Sequence, residues 1–340
     1  MKRSQGSPLV KGEVRGSSSL GSLRDKPSWL ALGWLVPALL LGWVLPNWTL
    51  FLLTIALAKG LVVVGVVLLM RTGLVSFGQG LFYAGGAYTV GFAMKAWGLK
   101  EALLLLPLGM VLSALLAALL GVLVSRYREI FFGMLTMAFS MIAYGLLVKF
   151  FSLTGGSDGM GVRAPTFLGF SPPQEALQLI YYNFAVLVLG AAVYGVSRFL
   201  ASPMGFLGQA IKDNEVRVEY MGASVHRVVY LTYLVAGALG GLGGVLVSFP
   251  VGHIVPDFAY WTTSGEFVFV ALLGGTGSVF APVAGSLVME FLKSYTLRYA
   301  PYTWQLLLGT IMLLIILFLP DGLWTLRAVL ARRWERWRPS

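Results

Sequence analysis

The chain has 340 residues, 57% of them hydrophobic and only 11% charged, with a mean hydropathy of +0.81, whereas soluble domains carry about 25% charged residues; water is excluded as the main solvent. The absence of cysteine excludes disulfides and thiolate metal sites, and the two histidines, His226 and His253, lie far apart with no ligand-like neighbours at metal spacing. The net charge of +11 does not point to nucleic acid, because the basic residues flank apolar stretches, as in loops that meet anionic lipid.

Residues 1–28 are rich in Ser and Gly and carry Lys2, Arg3, Lys11, Arg15, Arg24 and Lys26. Such a composition cannot bury a core and predicts a disordered basic tail. The apolar run 29–45 is followed by Pro46-Asn47-Trp48 and another apolar run, with no small-x-small cleavage site. It therefore reads as a first span rather than a signal peptide. A bilayer core needs about 20 apolar helical residues. That ruler predicts spans at 29–45, 49–70, 75–94, 101–124, 130–150, 178–197, 228–249 and 302–319. Between the last two lies a broken segment, 265–275 and 279–292, interrupted by Gly274-Gly275-Thr276-Gly277-Ser278. Its first half is too short to cross upright and reads as a tilted short span or half of a re-entrant pair. The expected fold is an all-α polytopic membrane protein of about 8–10 transmembrane or half-spanning helices. Its membrane domain covers 29–325, and a second basic tail follows at 326–340.

Lys and Arg set the orientation. With the N-terminus cytoplasmic, 18 fall on that side and 6 on the other, and the bias survives removal of the N-terminal tail. Both termini are expected in the cytoplasm. The loop 151–177 then lies outside, turn-rich with several Gly and three Pro, and the loop 198–227 lies inside.

The inner loop is polar but patterned. Ser202-Pro203 forms an N-cap and first-turn pair. Asp213-Asn214 can cap a second short helix with Glu215 in its first turn, ending at Gly222. Two short helices are expected there, suited to docking on a soluble partner; an interfacial amphipathic helix is the plainer alternative.

The segment Gly208-Gln209-Ala210-Ile211-Lys212-Asp213-Asn214-Glu215, ending at Met221-Gly222, resembles the cytoplasmic coupling loop of branched-chain amino acid ABC-transporter permeases. Other segments agree in order over roughly 50–325. Ser76-Phe77-Gly78-Gln79 with Gly86-Ala87-Tyr88-Thr89 is similar to the family's S-x-G-H…G-A-Y-T segment. Ser152 to Gly159 is similar to its outer loop, Gly274 to Ser278 with Pro282 and Gly285 to its broken helix, and Pro320-Asp321-Gly322-Leu323 to its terminal P-x-G-L. The chain resembles the longer of the two permease subunits. Gln79 stands where the family usually has His, and Arg71 where an uncharged residue is common; both departures bear on the substrate.

The resemblance implies an ABC importer subunit for branched-chain amino acids or a similar small solute, with urea, amides and aromatic acids also open. It implies a second permease subunit, two ATP-binding subunits and an external solute-binding protein, in a bacterial or archaeal inner membrane. Lys212, Asp213, Asn214, Glu215, Arg217 and Gly222 would form the ATPase-coupling loop. No cofactor is expected in this chain. The turn 274–278 lacks the Gly-Lys-Ser/Thr ending of a phosphate loop, so ATP would bind to partner subunits.

From the residues alone, intramembrane polar groups are functional candidates: Lys59, Ser76, Gln79, Tyr83, Ser140, Tyr144, Glu266 and Glu290. Of these, Lys59, Ser76, Gln79, Tyr83, Ser140 and Glu266 are expected to line the translocation path. Lys59 sits near mid-membrane and needs a partner carboxylate or a polar path. Glu266 also suits the first turn of a helix, through the helix dipole. Glu290 lies near a membrane face, where it can snorkel. Gly237, Gly240, Gly241, Gly243 and Gly244 recur at helical spacing and predict close helix packing. An ion-coupled secondary transporter also uses broken helices, but would carry coupling carboxylates and need no structured docking loop. A membrane enzyme would need an interfacial constellation of His, Asp, Glu or Cys, and none is evident.

Overall fold

In lipid, the backbone must satisfy its own N–H and C=O groups, so long uncharged runs of Leu, Val, Ala and Gly fold as helices. The computed structural model describes residues 33–303 and, beyond them, residues 306, 307, 309, 310, 313, 314, 317, 322 and 323. The tails 1–28 and 326–340, together with Pro320 and Asp321, lie outside the described residues, and the spans read at 29–45 and 302–319 lie partly outside them.

The described chain is all-α. In order it forms α1 (Leu35–Leu41), α2 (Asn47–Arg71), α3 (Gln79–Trp97), α4 (Ala102–Val124), α5 (Glu129–Lys149) and the one-turn α6 (Phe151–Thr154). Then come α7 (Leu177–Leu200), α8 (Pro203–Tyr220), α9 (Val225–Val251), α10 (Trp261–Gly274) and α11 (Ala281–Tyr299). The only sheet among the described residues is a two-residue antiparallel pair, β1 (Met160–Gly161) and β2 (His253–Ile254). Helices α2, α4, α5, α7 and α9 are each long and apolar enough to cross a membrane.

Helix α9 is the hub, packed against α2, α3 and α4. Its glycines make this possible. A Cβ on Gly244 would sit 1.9 Å from the Tyr83 carbonyl oxygen, and one on Gly86 of α3 would sit 2.0 Å from that of Gly241. The backbones touch directly, as expected where lipid gives helices no hydrophobic drive to associate.

Two ends of the bundle can be told apart. At one end lie the end of α2, the turn between α4 and α5, and α8: Leu74, Ile211 and Val218 share a buried cluster there, and Arg128 reaches Glu215. At the other end, the α3–α4 connection meets the long loop through the Thr166 N–H to Lys100 carbonyl bond, and that loop meets the end of α9 through β1 and β2.

Two spans are discontinuous. The span expected to begin at residue 75 becomes helical only at Gln79, because residues 72–78 run from the α8 end toward mid-bundle as irregular, mostly buried chain. The broken segment also starts earlier than its apolar pattern suggested. After β2, a 3-10 turn (Pro256–Ala259) descends beside α3 and α5, and α10 continues from Trp261. This lead-in and α10 together cross the bundle, and α11 returns. Non-helical backbone at this depth is tolerated only where protein covers it, and here it is covered: Ser76, Gly78, Pro256 and Ala259 are all buried.

Candidate functional site

The first turns of α3 and α10 meet in the middle of the bundle. The Gly80 N–H donates to the Ser264 hydroxyl at 2.8 Å, and the Ser140 hydroxyl, midway along α5, donates to the Ala259 carbonyl at 2.7 Å. The Ser-Phe-Gly-Gln segment is held by the same logic. Ser76 is fully buried and accepts from the Gly78 N–H at 3.2 Å, while the Phe77 N–H donates to the Thr136 hydroxyl at 3.2 Å. Side-chain hydroxyls thus replace the backbone partners that helix would have provided.

Gln79, the first residue of α3, is 0% exposed, and neither its amide nitrogen nor its amide oxygen has a hydrogen-bond partner among the described residues. One turn on, Tyr83 is buried with its ring 5.0 Å from that of Phe258 and 5.3 Å from that of Phe267. The Tyr144 ring stacks edgewise on Tyr260 at 4.9 Å. Helix N-termini carry partial positive charge, and here two point at one region from opposite directions, the arrangement that discontinuous transporter helices use at their substrate sites.

Lys59 lies in a network of four charges among the described residues. Its ammonium is 3.0 Å from Glu266 and also contacts Glu290; Glu266 in turn lies 3.1 Å from Lys293. The two cations and two carboxylates join α2, α10 and α11. Glu290, which suits snorkelling by its place in the sequence, is buried instead, and its carboxylate faces Lys59. The two readings of Glu266 also separate: it lies in the second turn of α10 and its partners are lysines.

At the α8 end, the polar loop forms one helix with a break. Asn214 leaves helical geometry (φ −165°, ψ 101°), and its side-chain oxygen accepts from the Arg217 N–H at 2.9 Å, capping the second segment. Gly222 follows with φ +82°. Ser202 precedes Pro203, but its hydroxyl donates to the Phe199 carbonyl and caps nothing. Ile211 and Val218 are buried beneath the two segments. Glu215 accepts from Arg128 Nε at 2.9 and 3.1 Å, and the same guanidinium holds the Ser125 and Tyr127 carbonyls. Lys212, Asp213, Asn214 and Arg217 are exposed.

Residues 48–317 match the family described as the branched-chain amino acid transport system permease component. The chain belongs to this family. The permease is 27% identical over 297 residues to the high-affinity branched-chain amino acid transport system permease protein LivM of Escherichia coli K12, covering 81% of this chain and 68% of that one. It is 28% identical over 158 residues to a probable LivM of Methanocaldococcus jannaschii, covering 42% and 46%. It is also 35% identical over 98 residues to the nucleoside ABC transporter permease protein NupB of Lactococcus lactis, covering 28% and 26%. No solved structure matches.

Several residues of the permease escaped sequence reading. Arg128 and Lys293 were visible only as loop charges, and Ser264 and Thr136 only as isolated hydroxyls. Arg71 turns out to hold the broken helix: its Nε donates to the Thr276 carbonyl at 3.1 Å. Gly322 of the terminal motif lies on the same turn, where a Cβ would come 2.6 Å from Gly275 Cα. Glu290 and Lys293, three residues apart on α11, were the one usable hint, because a pair at that spacing shares a helix face.

Proposed function

We propose that this permease is the membrane-spanning subunit of an ABC importer that carries branched-chain amino acids or a chemically similar small solute, driven by ATP bound to separate subunits. The observation that carries the reading is α8. Anchored from below by Ile211 and Val218 and from the side by Arg128, it presents Asp213, Val216, Arg217, Tyr220 and Met221 outward. Exposed aromatic and apolar side chains interleaved with charges suit a groove on a soluble partner. Because the break at Asn214 is internally capped, force applied to either segment reaches α7 and α9 without unfolding the loop. The partners in this reading are a second permease subunit, two ATP-binding subunits and an external solute-binding protein. Both chain termini and α8 face the cytoplasm.

The meeting point of α3 and α10 supports the solute class. Two helix N-termini favour an anionic group such as an amino-acid carboxylate, Gln79 offers an amide with free bonding capacity, and Tyr83 with its Phe neighbours offers an apolar wall. The Lactococcus relative's name places nucleosides in the panel of solutes to be tried beside leucine, isoleucine and valine.

Proteoliposomes test the reading. Uptake of labelled leucine should need internal ATP, the second permease subunit, the two ATP-binding subunits and the external solute-binding protein, and should persist when ion gradients are collapsed, while the purified chain alone binds no ATP. Loss of uptake to a protonophore in ATP-loaded vesicles would favour an ion-coupled secondary transporter. Cysteine accessibility should place residue 215 on the ATP side and residue 160 on the other; the reverse sinks the coupling role of α8.

A further inference from the structure

A slot of about 440 Å³ runs between α3, α4 and α5. Its wall follows α3 from Leu81 to Phe92 and α5 from Phe139 to Phe150, with Leu116 of α4 between them. Each of the two stretches is about 16 Å long at 1.5 Å per residue, close to half of a bilayer's hydrocarbon core, about 15 Å. No charged side chain lines the slot among the described residues. One edge is open: Leu116, Ile142, Leu146 and Phe150 are 40–57% exposed, on helices that turn most of their apolar residues outward.

The wall contains one polar atom with nothing to bond. Tyr88 is only 3% exposed, and its hydroxyl has no hydrogen-bond partner among the described residues; its ring lies 6.0 Å from that of Phe92. The other hydroxyl in the wall, that of Thr154, donates to the Leu147 and Phe150 carbonyls. Tyr88 stands nine residues along α3 from Gln79 at mid-bundle, a rise of about 13 Å. That puts it at the edge of the hydrocarbon, the level at which tyrosines and lipid ester groups sit. At the same end of the slot Lys149 closes α5 beside Phe150, exposed and without an ion pair among the described residues.

We propose that the slot is a lipid site: it holds one acyl chain of an anionic phospholipid, whose ester carbonyl accepts from the Tyr88 hydroxyl and whose phosphate faces Lys149. Polarity excludes a free amino acid, because its ammonium and carboxylate would both be buried without partners. Width excludes a helix of another subunit, which with its side chains is about 10–12 Å across, more than this volume leaves over this length. A single unbranched chain meets both limits. Its ester supplies the acceptor that the protein does not give Tyr88, and its phosphate complements the lone cation at the slot's outer end. Seated there, the lipid braces α3, the helix that carries Gln79 and Tyr83, against α4 and α5. The site does not depend on which solute the permease carries.

The test places the full chain in phosphatidylcholine nanodiscs containing phosphatidylglycerol with a photoreactive diazirine in mid-chain, and maps the labelled peptides by mass spectrometry. Label should concentrate on the slot-lining stretches of α3 and α5, and a phosphatidylcholine probe of the same design should label them less. Tyr88→Phe keeps the ring and should lower slot labelling by about fivefold, the loss of one hydrogen bond. Lys149→Gln should remove the preference for phosphatidylglycerol. A Cβ on Gly85, in the wall, meets only Leu116 and Ser113, both at 3.4 Å, so Gly85→Leu should fill the slot and abolish the labelling. Label spread evenly over the outward faces of α4 and α5, or slot labelling unchanged in Tyr88→Phe, overturns the site. A second measurement identifies the occupant in native membranes. The chain has no cysteine, so Ala143→Cys carries a single benzophenone into the slot; an adduct with phospholipid supports the site, and an adduct with another membrane protein overturns it.

Discussion

Lys59 and Glu266, 207 residues apart in sequence, meet inside the bundle with the ammonium 3.0 Å from a carboxylate oxygen. With Glu290 on one side and Lys293 on the other, the set among the described residues holds two cations and two carboxylates. A lone cation at a helix centre costs about 2.5–3.5 kcal/mol on insertion scales, and the set removes that isolation. It also fixes α10 and α11 against α2, so the discontinuous span is held by its charges as well as its glycines.

Replacing Lys59 by Met leaves Glu290 unpaired in a buried site, a loss of about 3–5 kcal/mol. Removing both charges, with Lys59→Met and Glu290→Gln, should recover much of it. Thermal unfolding of the purified variants in detergent measures both. A single variant that melts with the wild type means the network adds nothing to stability.

The Arg128–Glu215 pair gives a second double-mutant test. Both side chains are partly exposed, 24% and 34%, so the pair itself is worth about 0.2–1 kcal/mol and its role is positional. Glu215→Lys should leave membrane insertion unchanged but free α8 from the α4–α5 turn, and lower solute-stimulated ATP hydrolysis more than basal hydrolysis. Adding Arg128→Glu should restore coupling. If the swap restores nothing, Glu215 acts on the partner groove and not through Arg128.

How much of this was legible in the sequence differs from element to element. The long spans were, because length and apolarity alone specify them: α4 at Ala102–Val124 and α5 at Glu129–Lys149 fall within a residue of the ranges expected from hydropathy. The break in α8 was legible too, since Asn214 announces a cap chemically. The start of α3 was not. Residues 75–78 are apolar enough to read as helix, and their non-helical course is held by the Phe77 N–H bond to Thr136 on distant α5 and by the Gly78 N–H bond to the Ser76 hydroxyl, while Ser264 on α10 takes the Gly80 N–H just beyond. Glu290 was misread for the same reason: depth in the membrane can be estimated from sequence, but the identity of the residue across the gap cannot.

Acid should loosen the long loop at one defined point. Glu101, just before α4, accepts from the Gly169 N–H at 3.1 Å, the Thr166 hydroxyl at 2.8 Å and the Leu168 N–H. Those bonds, the one from Gly169 foremost, hold its carboxyl below the usual range. A depressed folded value means the hold is complete above the ordinary carboxylate pKa, about 4.3, and fades as pH falls through the lower folded one. Amide exchange at residues 166–169 should therefore stay slow in the wild type from neutral pH down past that ordinary value. In Glu101→Gln it should already be fast at pH 7. Matching protection in the two proteins at pH 7 would remove Glu101 from this role.

Gln79 offers the sharpest separation of stability from function. A buried amide with neither atom partnered by protein costs about 1–3 kcal/mol, yet it stands at the N-terminus of α3 beside the Gly80–Ser264 contact that joins the two discontinuous helices. Met is close to Gln in length and shape and lacks the polar atoms. Gln79→Met should therefore raise the melting temperature of the purified subunit while slowing leucine uptake by the reconstituted complex, without altering basal ATP hydrolysis. The adjacent α9 surface constrains the choice of variant, because Gly240 Cβ would already lie 3.3 Å from the Gln79 oxygen; a bulkier aromatic would confound packing with polarity. Raised stability with unchanged uptake would make the amide a packing fault that transport does not use. Lowered stability would mean that a buried water satisfies the amide in the resting protein. Only the combination of a firmer protein and a slower one assigns the free amide to the passing solute.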